Sequence, residues 1–235
     1  MNEPKEVVGV MTLEASKDKY ATNILSRYLG VNLNNMTGKE RKEYLKQPEI
    51  KEEVFKFLKR KTGEASFYVY DSRGADLGTT RESILEMIIK LGVTLLVVDP
   101  YSDLVAGSSL EEQEEFISWM KNLILECPQL TIVLICHTRK SASGSHNDEL
   151  TEHDIMGSST VMKSSAQTFS IQRDKLHENP IMRNVSDVVV HKNRHGATTG
   201  LACQVFFDFK TGKLFEWEQF KKGNPWAVVG TEENS

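Results

Sequence analysis

The first half of the chain is organised by three apolar runs, each followed by a polar or charged residue. The runs span residues 7–13, 93–98 and 131–136, and they are followed by Glu14, Asp99 and His137. Strands that are buried on both faces have continuous apolar sequences, and the carboxyl ends of parallel strands meet at the edge of the sheet where ligands bind. The pattern therefore predicts a parallel sheet with Glu14, Asp99 and His137 at one edge.

Between these runs, apolar residues recur at helical spacing. We predict helices over residues 18–30, within 37–61 with a break near Pro48, from Thr80 to Leu91, and over 111–126, and a strand over 66–70. Thr80 is the expected N-cap of the helix that Gly92 ends, because its hydroxyl can accept a hydrogen bond from the first turn. Alternating strands and helices predict an α/β fold.

The second half has a different pattern. We predict a long loop over 141–153, a helix over 158–166, and strands over 168–172, 187–191, 201–207 and 214–217. We expect one domain over residues 1–220 and a flexible tail over 221–235.

Composition limits the function classes. The 235 residues are 39% hydrophobic and 26% charged, with a net charge of −4, which is typical of a folded globular protein. The net charge argues against a wholly basic nucleic-acid-coating protein, but a local basic loop can still bind phosphates. Three cysteines without Cys-x-x-Cys spacing indicate free thiols in a reducing compartment. The sequence has no membrane-spanning run and no signal peptide, so we expect a cytoplasmic protein, in a host cytoplasm if it is encoded by a phage.

A phosphate-binding loop is missing from the sequence. Such a loop needs Gly-x-x-x-x-Gly-Lys-Ser/Thr, so that backbone N–H groups and a lysine hold the phosphates. Gly38-Lys39 is followed by Glu40 and Gly212-Lys213 by Leu214, so neither Gly-Lys pair fits. With a strand expected already at Val7, we expect either a fragment or a protein that hydrolyses nothing alone.

The order of the polar residues resembles the RecA-like motor domain of DnaB-family (superfamily 4) replicative helicases, most of all the phage primase-helicase and mitochondrial Twinkle type. Plasmid-type RepA-like helicases also fit parts of the sequence. The resemblance covers residues 7–216, and it rests on the segments Met11-Thr-Leu-Glu14, Phe67-Tyr-Val-Tyr-Asp-Ser72, Leu95-Leu-Val-Val-Asp99, Ile132-Val-Leu-Ile-Cys-His137, Gly157-Ser-Ser159 and His191-Lys-Asn-Arg-His-Gly196. It implies a RecA-like, mostly parallel sheet flanked by helices, with antiparallel strands at the C-terminal edge, but without the P-loop strand and helix.

The resemblance implies a role for each strand-end residue. Glu14 matches the catalytic glutamate that orients the attacking water, Asp99 the carboxylate that holds Mg²⁺, and His137 the sensor of the γ-phosphate. Each has a structural alternative: Glu14 as a helix cap or surface carboxylate, and Asp99 and His137 as ordinary strand-end polar residues.

Two further residue pairs match nucleotide-binding positions. Lys192 and Arg194 match the arginine-finger pair that acts in a neighbouring subunit, which implies a ring. Arg173 and Phe207 match the residues that sandwich the nucleotide base. The alternatives are a charge cluster at the rim of a hairpin and, for Phe207, packing in a strand core.

Arg139 and Lys140 match the start of the DNA-binding loop of the central channel, and Lys163 matches a further DNA or phosphate contact. The sequence departs from close relatives at Met156 and Met162, where they carry arginine.

The family resemblance thus implies ATP or another NTP, Mg²⁺, single-stranded DNA, and a homo- or hetero-oligomeric ring, possibly with a P-loop-bearing chain and without a membrane. The expected function is part of an ATP-dependent DNA helicase. The alternatives are a non-enzymatic RecA-like module that binds DNA or regulates a helicase ring, and a decaying fragment.

Overall fold

Two four-stranded sheets form the framework of the protein. The computed structural model describes residues 6–60, 62–138, 154, 159–196 and 198–224. The first sheet is parallel, with the order β2-β1-β3-β4. Its strands are β1 (Val8–Thr12), β2 (Phe67–Asp71), β3 (Leu95–Asp99) and β4 (Thr131–Leu134). The parallel sheet predicted from the three apolar runs is confirmed, and β1 and β3 are its central strands.

Among the described residues, six α-helices precede, connect or follow the parallel strands. They are α1 (Lys17–Leu29), α2 (Gly38–Lys46), α3 (Pro48–Leu58), α4 (Leu77–Leu91), α5 (Tyr101–Leu104) and α6 (Leu110–Glu126). The predicted break near Pro48 is confirmed, since proline occupies the first position of α3. None of the described helices is both long and apolar enough to cross a membrane.

The predicted start of α4 is wrong. Asp76 is the N-cap, because its carboxylate accepts a 2.7 Å hydrogen bond from the backbone N–H of Thr79. Thr80 lies inside the first turn of the helix, and its side chain is fully buried. Burial therefore decides the role of Thr80, whereas the sequence showed only that its hydroxyl was suitable for a cap.

The main core lies between the parallel sheet and helices α4 and α6. Its fully buried members include Met11, Ile84, Met87, Leu96, Val98, Tyr101 and Phe116. Gly9 allows α4 to approach β1 closely, because a Cβ atom at Gly9 would lie only 2.9 Å from Met87 Sδ. The core thus holds the strands of the sheet, and their carboxyl ends, in fixed relative positions.

The second sheet is antiparallel and follows α7 (Ser159–Ser164). Its strands are β5 (Gln167–Gln172), β6 (Val185–Asn193), β7 (Gly200–Phe207) and β8 (Leu214–Glu216), in sequence order. Helix α8 (Trp217–Gly223) covers one face, where Val185, Phe206 and Trp217 form a small core. The predicted antiparallel strands are therefore confirmed, and in the described residues they form a sheet separate from the parallel one. Helix α8 crosses the predicted domain boundary at residue 220.

The turn between β7 and β8 packs against the end of α1. The backbone N–H of Asn32 donates to the carbonyl of Lys210 at 3.3 Å, and its side-chain amide donates to the carbonyl of Phe209 at 3.0 Å. Gly212 is buried at the same contact. The antiparallel sheet is thereby attached to the helical layer of the parallel sheet. The predicted loop over residues 141–153 lies outside the described residues.

Candidate functional site

The carboxyl ends of β1, β2 and β3 are joined by backbone hydrogen bonds. Leu13 N–H donates to the carbonyl of Asp99 at 2.8 Å, and Ser72 N–H donates to the carbonyl of Thr12 at 2.9 Å. Thr12 is also the register partner of Asp71 in β2 and of Asp99 in β3. The loops that leave these strands therefore begin side by side, as expected for a ligand-binding edge of a parallel sheet.

Glu14 lies in a tight turn immediately after β1. The hydroxyl of Thr12 donates to the carbonyl of Ala15 at 2.6 Å and closes this turn. Ser16 is the N-cap of α1, and its side chain accepts a hydrogen bond from Lys19 N–H. Glu14 is exposed and does not cap the helix. The helix-cap alternative for Glu14 is therefore wrong.

Asp99 lies among other charged groups. Burial raises the pKa of this carboxyl above its usual value, the negative charge of Glu14 raises it further, and His137 partly opposes the shift. Asp103 adds a smaller effect in the same direction as Glu14. Each of Glu14, His137 and Asp103 therefore lies near enough to Asp99 for its charge to act on that carboxyl, because charge effects weaken with distance. The structure thus brings together the three strand-end residues that the sequence singled out.

Helix α5 follows β3 and is hydrogen-bonded to the segment that leaves the end of β4. Tyr101 N–H donates to the carbonyl of Ile135 at 2.6 Å, and His137 N–H donates to the hydroxyl of Ser102 at 3.3 Å. The Nε2 atom of His137 lies 3.7 Å from Oδ1 of Asp103. A change in the position of His137 can therefore be transmitted to α5 and the segment that follows it.

Sequence reasoning missed two residues of this cluster, Asp103 and Tyr20. Tyr20 lies on α1, and burial and the charge of Asp99 together raise the pKa of its hydroxyl. Asp103 was detectable in principle, because it follows the strand end at Asp99 by one helical turn. Tyr20 had no comparable signal, since in the sequence it is one of several apolar residues at helical spacing.

The negative charge of Asp71, at the end of β2, is balanced by a neighbouring arginine. Arg73 donates to both of its carboxylate oxygens, at 2.7 and 2.6 Å, and lowers the pKa of Asp71 to about 2. Arg73 therefore forms its ion pair with Asp71, at the start of the same loop.

The donor set at the edge fits Mg²⁺ that is bound largely through water. Mg²⁺ prefers oxygen ligands, keeps several waters, and commonly takes only one or two protein carboxylates together with phosphates. Asp99 supplies such a carboxylate, with the carboxylate of Glu14 nearby. Within the described residues, no group of three or more histidine, cysteine or acidic residues is arranged to hold a metal ion.

An open cleft of about 590 Å³ lies beside the cluster and includes Leu13, Asp103 and the segments around Gly74 and Gly107 in its lining. The cleft is acidic rather than basic. Two of its carboxylates, Asp76 and Glu112, already accept hydrogen bonds at the N-termini of α4 and α6. A phosphate in this cleft would meet negative charge, so the cleft does not replace a phosphate-binding loop.

Lys192 and Arg194 come together at the C-terminus of α7. Lys192 Nζ donates to the carbonyl of Met162 and, at 3.4 Å, to that of Lys163, while Arg194 Nη2 also donates to the carbonyl of Lys163. Cations are favourable at this end of a helix, where carbonyls lack intrahelical partners. The structure therefore places the predicted finger pair on α7 of its own chain.

Arg173 and Phe207 are not stacked on one another. Arg173 is exposed and directly follows β5, whereas Phe207 ends β7 and packs edge-on against Phe209, with ring centroids 5.1 Å apart. Strand β6 lies between the two residues, so their backbones are on the order of 10 Å apart. This separation leaves space between the two side chains.

Of the predicted DNA contacts, Lys163 is exposed on α7. Arg139 and Lys140 lie outside the described residues, as does Met156. Met162 is half-buried on α7.

The comparisons with known proteins agree with this architecture. A solved structure described as an ATPase domain has a TM-score of 0.70 and 13% identity, with 90% of this chain and 74% of that chain covered. A DnaB-like replicative helicase, whose structure was described with its interactions with primase, has a TM-score of 0.68 and 14% identity. That match covers 89% of this chain, which spans about half (51%) of the helicase chain.

A search of curated protein sequences finds no match. The family model described as DnaB-like helicase C-terminal domain matches residues 1–215, which is most of the chain. These residues include the parallel sheet, all of the antiparallel sheet except the last residue of β8, and all the candidate site residues. The chain belongs to the DnaB-like helicase C-terminal domain family.

Proposed function

We propose that this protein forms part of an ATP-dependent replicative helicase that translocates on single-stranded DNA as a ring. The observation that carries the proposal is the meeting of Glu14, Asp99 and His137 at one edge of the parallel sheet. A water-orienting carboxylate, a metal-binding carboxylate and a phosphate sensor must act on one nucleotide, so they must share one edge.

In the proposed site, Glu14 orients the attacking water and accepts its proton, which suits an exposed carboxylate on a short, hydrogen-bonded turn. Asp99 holds the metal ion. When bound, Mg²⁺ neutralises charge on the phosphates of ATP or another NTP. The raised pKa of Asp99 is consistent with a group whose negative charge awaits a cation.

His137 senses the terminal phosphate. Its ring lies beside Asp103 and its backbone is tied to Ser102, so loss of the phosphate is transmitted to α5. This link provides a path from nucleotide state to the neighbouring loops.

Lys192 and Arg194 act on the nucleotide of an adjacent subunit. Both are next to the turn that follows β6, and both have flexible side chains that can exchange the carbonyls of α7 for phosphate oxygens. Arg173 and Phe207 contact the base. A residue that acts in trans requires an oligomer, and a ring supplies one such contact for each site.

Arg139, Lys140 and Lys163 bind the phosphates of the DNA strand. Lys163 is exposed on α7, directly beside the carbonyls that hold the finger pair. This position couples a DNA contact to the subunit interface. Basic side chains that bind phosphates read charge and not base sequence.

The nucleotide site also needs a P-loop from outside the 235 residues, because none of them forms that motif. In this proposal the motor domain covers residues 1–220 together with the remainder of helix α8, which ends at Gly223. The competing proposal is a regulatory module that donates Arg194 to a complete helicase ring without hydrolysing ATP itself. The missing P-loop motif favours that alternative, whereas the convergence of Glu14, Asp99 and His137 favours a working site.

The test is DNA-stimulated ATP hydrolysis by the purified protein, alone and together with a polypeptide that supplies a P-loop strand, loop and helix. We expect hydrolysis only in the mixture, with losses of about a hundredfold or more for Glu14→Gln and for Arg194→Ala. Lys222→Ala on α8 is the control for a loss of positive charge. If the mixture is inactive but this protein slows ATP hydrolysis by a complete helicase ring through Arg194, the regulatory alternative is correct.

A further inference from the structure

The first turn of α1 is held by a residue of the neighbouring strand β2. Lys17 is the first residue of α1, and the N–H groups of a first helical turn have no acceptor within the helix. The side chain of Ser16 accepts from Lys19, whereas the N–H of Lys17 donates to the carboxylate of Asp71. A negative charge is favourable at this end of a helix. Asp71 therefore attaches the start of α1 to the end of β2.

Arg73 fixes the orientation of the Asp71 carboxylate. Its Nε and Nη2 atoms donate to the two carboxylate oxygens, at 2.7 and 2.6 Å, so the ion pair is bidentate. A planar guanidinium that binds both oxygens fixes a carboxylate more firmly than a single ammonium group does. The N–H of Lys17 therefore donates to an acceptor whose position is already set.

Glu14 lies on the short turn between β1 and α1, and both ends of this turn are attached to β2 and the loop that follows it. At the first end, Thr12 is the register partner of Asp71, and its carbonyl accepts a hydrogen bond from Ser72 N–H at 2.9 Å. At the second end, Lys17 is attached through the Asp71 carboxylate. A short turn that is fixed at both ends leaves few backbone conformations to the residues between them.

We propose that Asp71, oriented by Arg73, is a positioning residue for Glu14: it fixes the start of α1 and thereby the direction in which the Glu14 carboxylate points. This inference rests on the proposed function, in which Glu14 orients the attacking water. Strand β1 lies between Asp71 and Asp99, so the backbones of these two residues are on the order of 10 Å apart. Asp71 therefore acts through the turn that carries Glu14 and not on the metal-binding carboxylate.

The first part of the test is residue-resolved hydrogen exchange on the full chain without nucleotide. Asp71→Ala should speed exchange of the Lys17 amide about tenfold, because this N–H loses its acceptor. Asp71→Asn keeps one oxygen as an acceptor but loses the bidentate ion pair, so it should give a smaller increase, and it serves if the alanine variant does not fold. Asp18→Ala is the matched control, because Asp18 is an exposed acid in the same first turn, and it should leave the Lys17 amide unchanged.

The second part measures ATP hydrolysis by the full chain mixed with the polypeptide that supplies a P-loop. Asp71→Ala should lower kcat about tenfold and leave KM for ATP within about twofold, because a displaced catalytic group costs rate and not ground-state binding. In the Glu14→Gln background, Asp71→Ala should lower the residual rate no further, because its effect passes through Glu14. Asp18→Ala should change neither kcat nor KM by more than about twofold.

Two results overturn the inference. One is unchanged exchange of the Lys17 amide in both Asp71 variants, since Asp71 then does not hold the turn. The other is an equal loss of rate from Asp71→Ala with and without Glu14→Gln, since Asp71 then acts independently of Glu14. A parent mixture that does not hydrolyse ATP refutes the proposed function instead, and the hydrogen exchange still decides separately whether Asp71 holds the turn that carries Glu14.

Discussion

Replacing Gly9 by alanine should destabilise the protein through one defined steric conflict. Gly9 lies in β1, a central strand of the parallel sheet. A Cβ atom there would lie 2.9 Å from Met87 Sδ and 3.0 Å from both Cγ atoms of Val93. Met87 is fully buried and Val93 is 1% exposed, so neither side chain can move into solvent.

The cost follows from two opposing terms. Ordinary carbon contacts need about 3.5–4.0 Å, so the neighbours must shift by roughly half an ångström or more. Overpacking of this kind costs about 1–3 kcal/mol. Alanine recovers about 0.5–1 kcal/mol, because glycine loses more conformational freedom in a strand. The two ranges differ by about 0–2.5 kcal/mol, so we expect a net loss of about 1 kcal/mol in the free energy of unfolding.

Urea unfolding measures this change as a lower midpoint with an unchanged m value. Combining Gly9→Ala with Val93→Ala should recover about 1 kcal/mol or more relative to additivity, because the second change removes both Cγ atoms. Gly38→Ala is the control, because Gly38 begins α2 and a Cβ atom there would have open space around it. This variant should be more stable than the parent protein. A Gly9→Ala protein as stable as the parent, or strictly additive changes, would refute the steric argument.

Three further predictions concern the site and its surroundings. Asp99→Asn should raise the free energy of unfolding at neutral pH, because the raised pKa of Asp99 means that the folded state disfavours the charged carboxylate. Unfolding curves over a pH series should show this gain disappearing as the pH falls below the usual Asp pKa. Lys192→Ala with Arg194→Ala should speed hydrogen exchange in α7 several-fold. The carbonyl of Lys163 then loses its Lys192 and Arg194 donors, and that of Met162 loses Lys192 but keeps the Ser165 hydroxyl, so unchanged exchange would contradict this contact. Cys136 should be alkylated far more slowly than the exposed Cys203 at pH 8. Burial raises the pKa of the Cys136 thiol from 9.0 to about 11, which lowers its thiolate fraction about a hundredfold. Peptide mass spectrometry measures both alkylation rates.

The sequence alone determined the local elements and the polar residues at their ends. Apolar runs predicted β1, β3 and β4, and helical spacing predicted α1 and α6, because these patterns depend on neighbours along the chain. Glu14, Asp99 and His137 were identified for the same reason. The family also followed from the order of such residues, and the match over residues 1–215 confirms it.

Only the tertiary structure decided which distant groups meet. The order β2-β1-β3-β4, the approach of Tyr20 and Asp103 to Asp99, and the contact of Arg194 with α7 all depend on packing between segments far apart in sequence. Burial likewise assigned Thr80 to the inside of α4 and left the cap to Asp76. A periodic pattern shows that one face of an element is buried. Which segment packs against that face depends on the free energies of contacts between distant parts of the chain, and a short stretch of sequence does not contain this information.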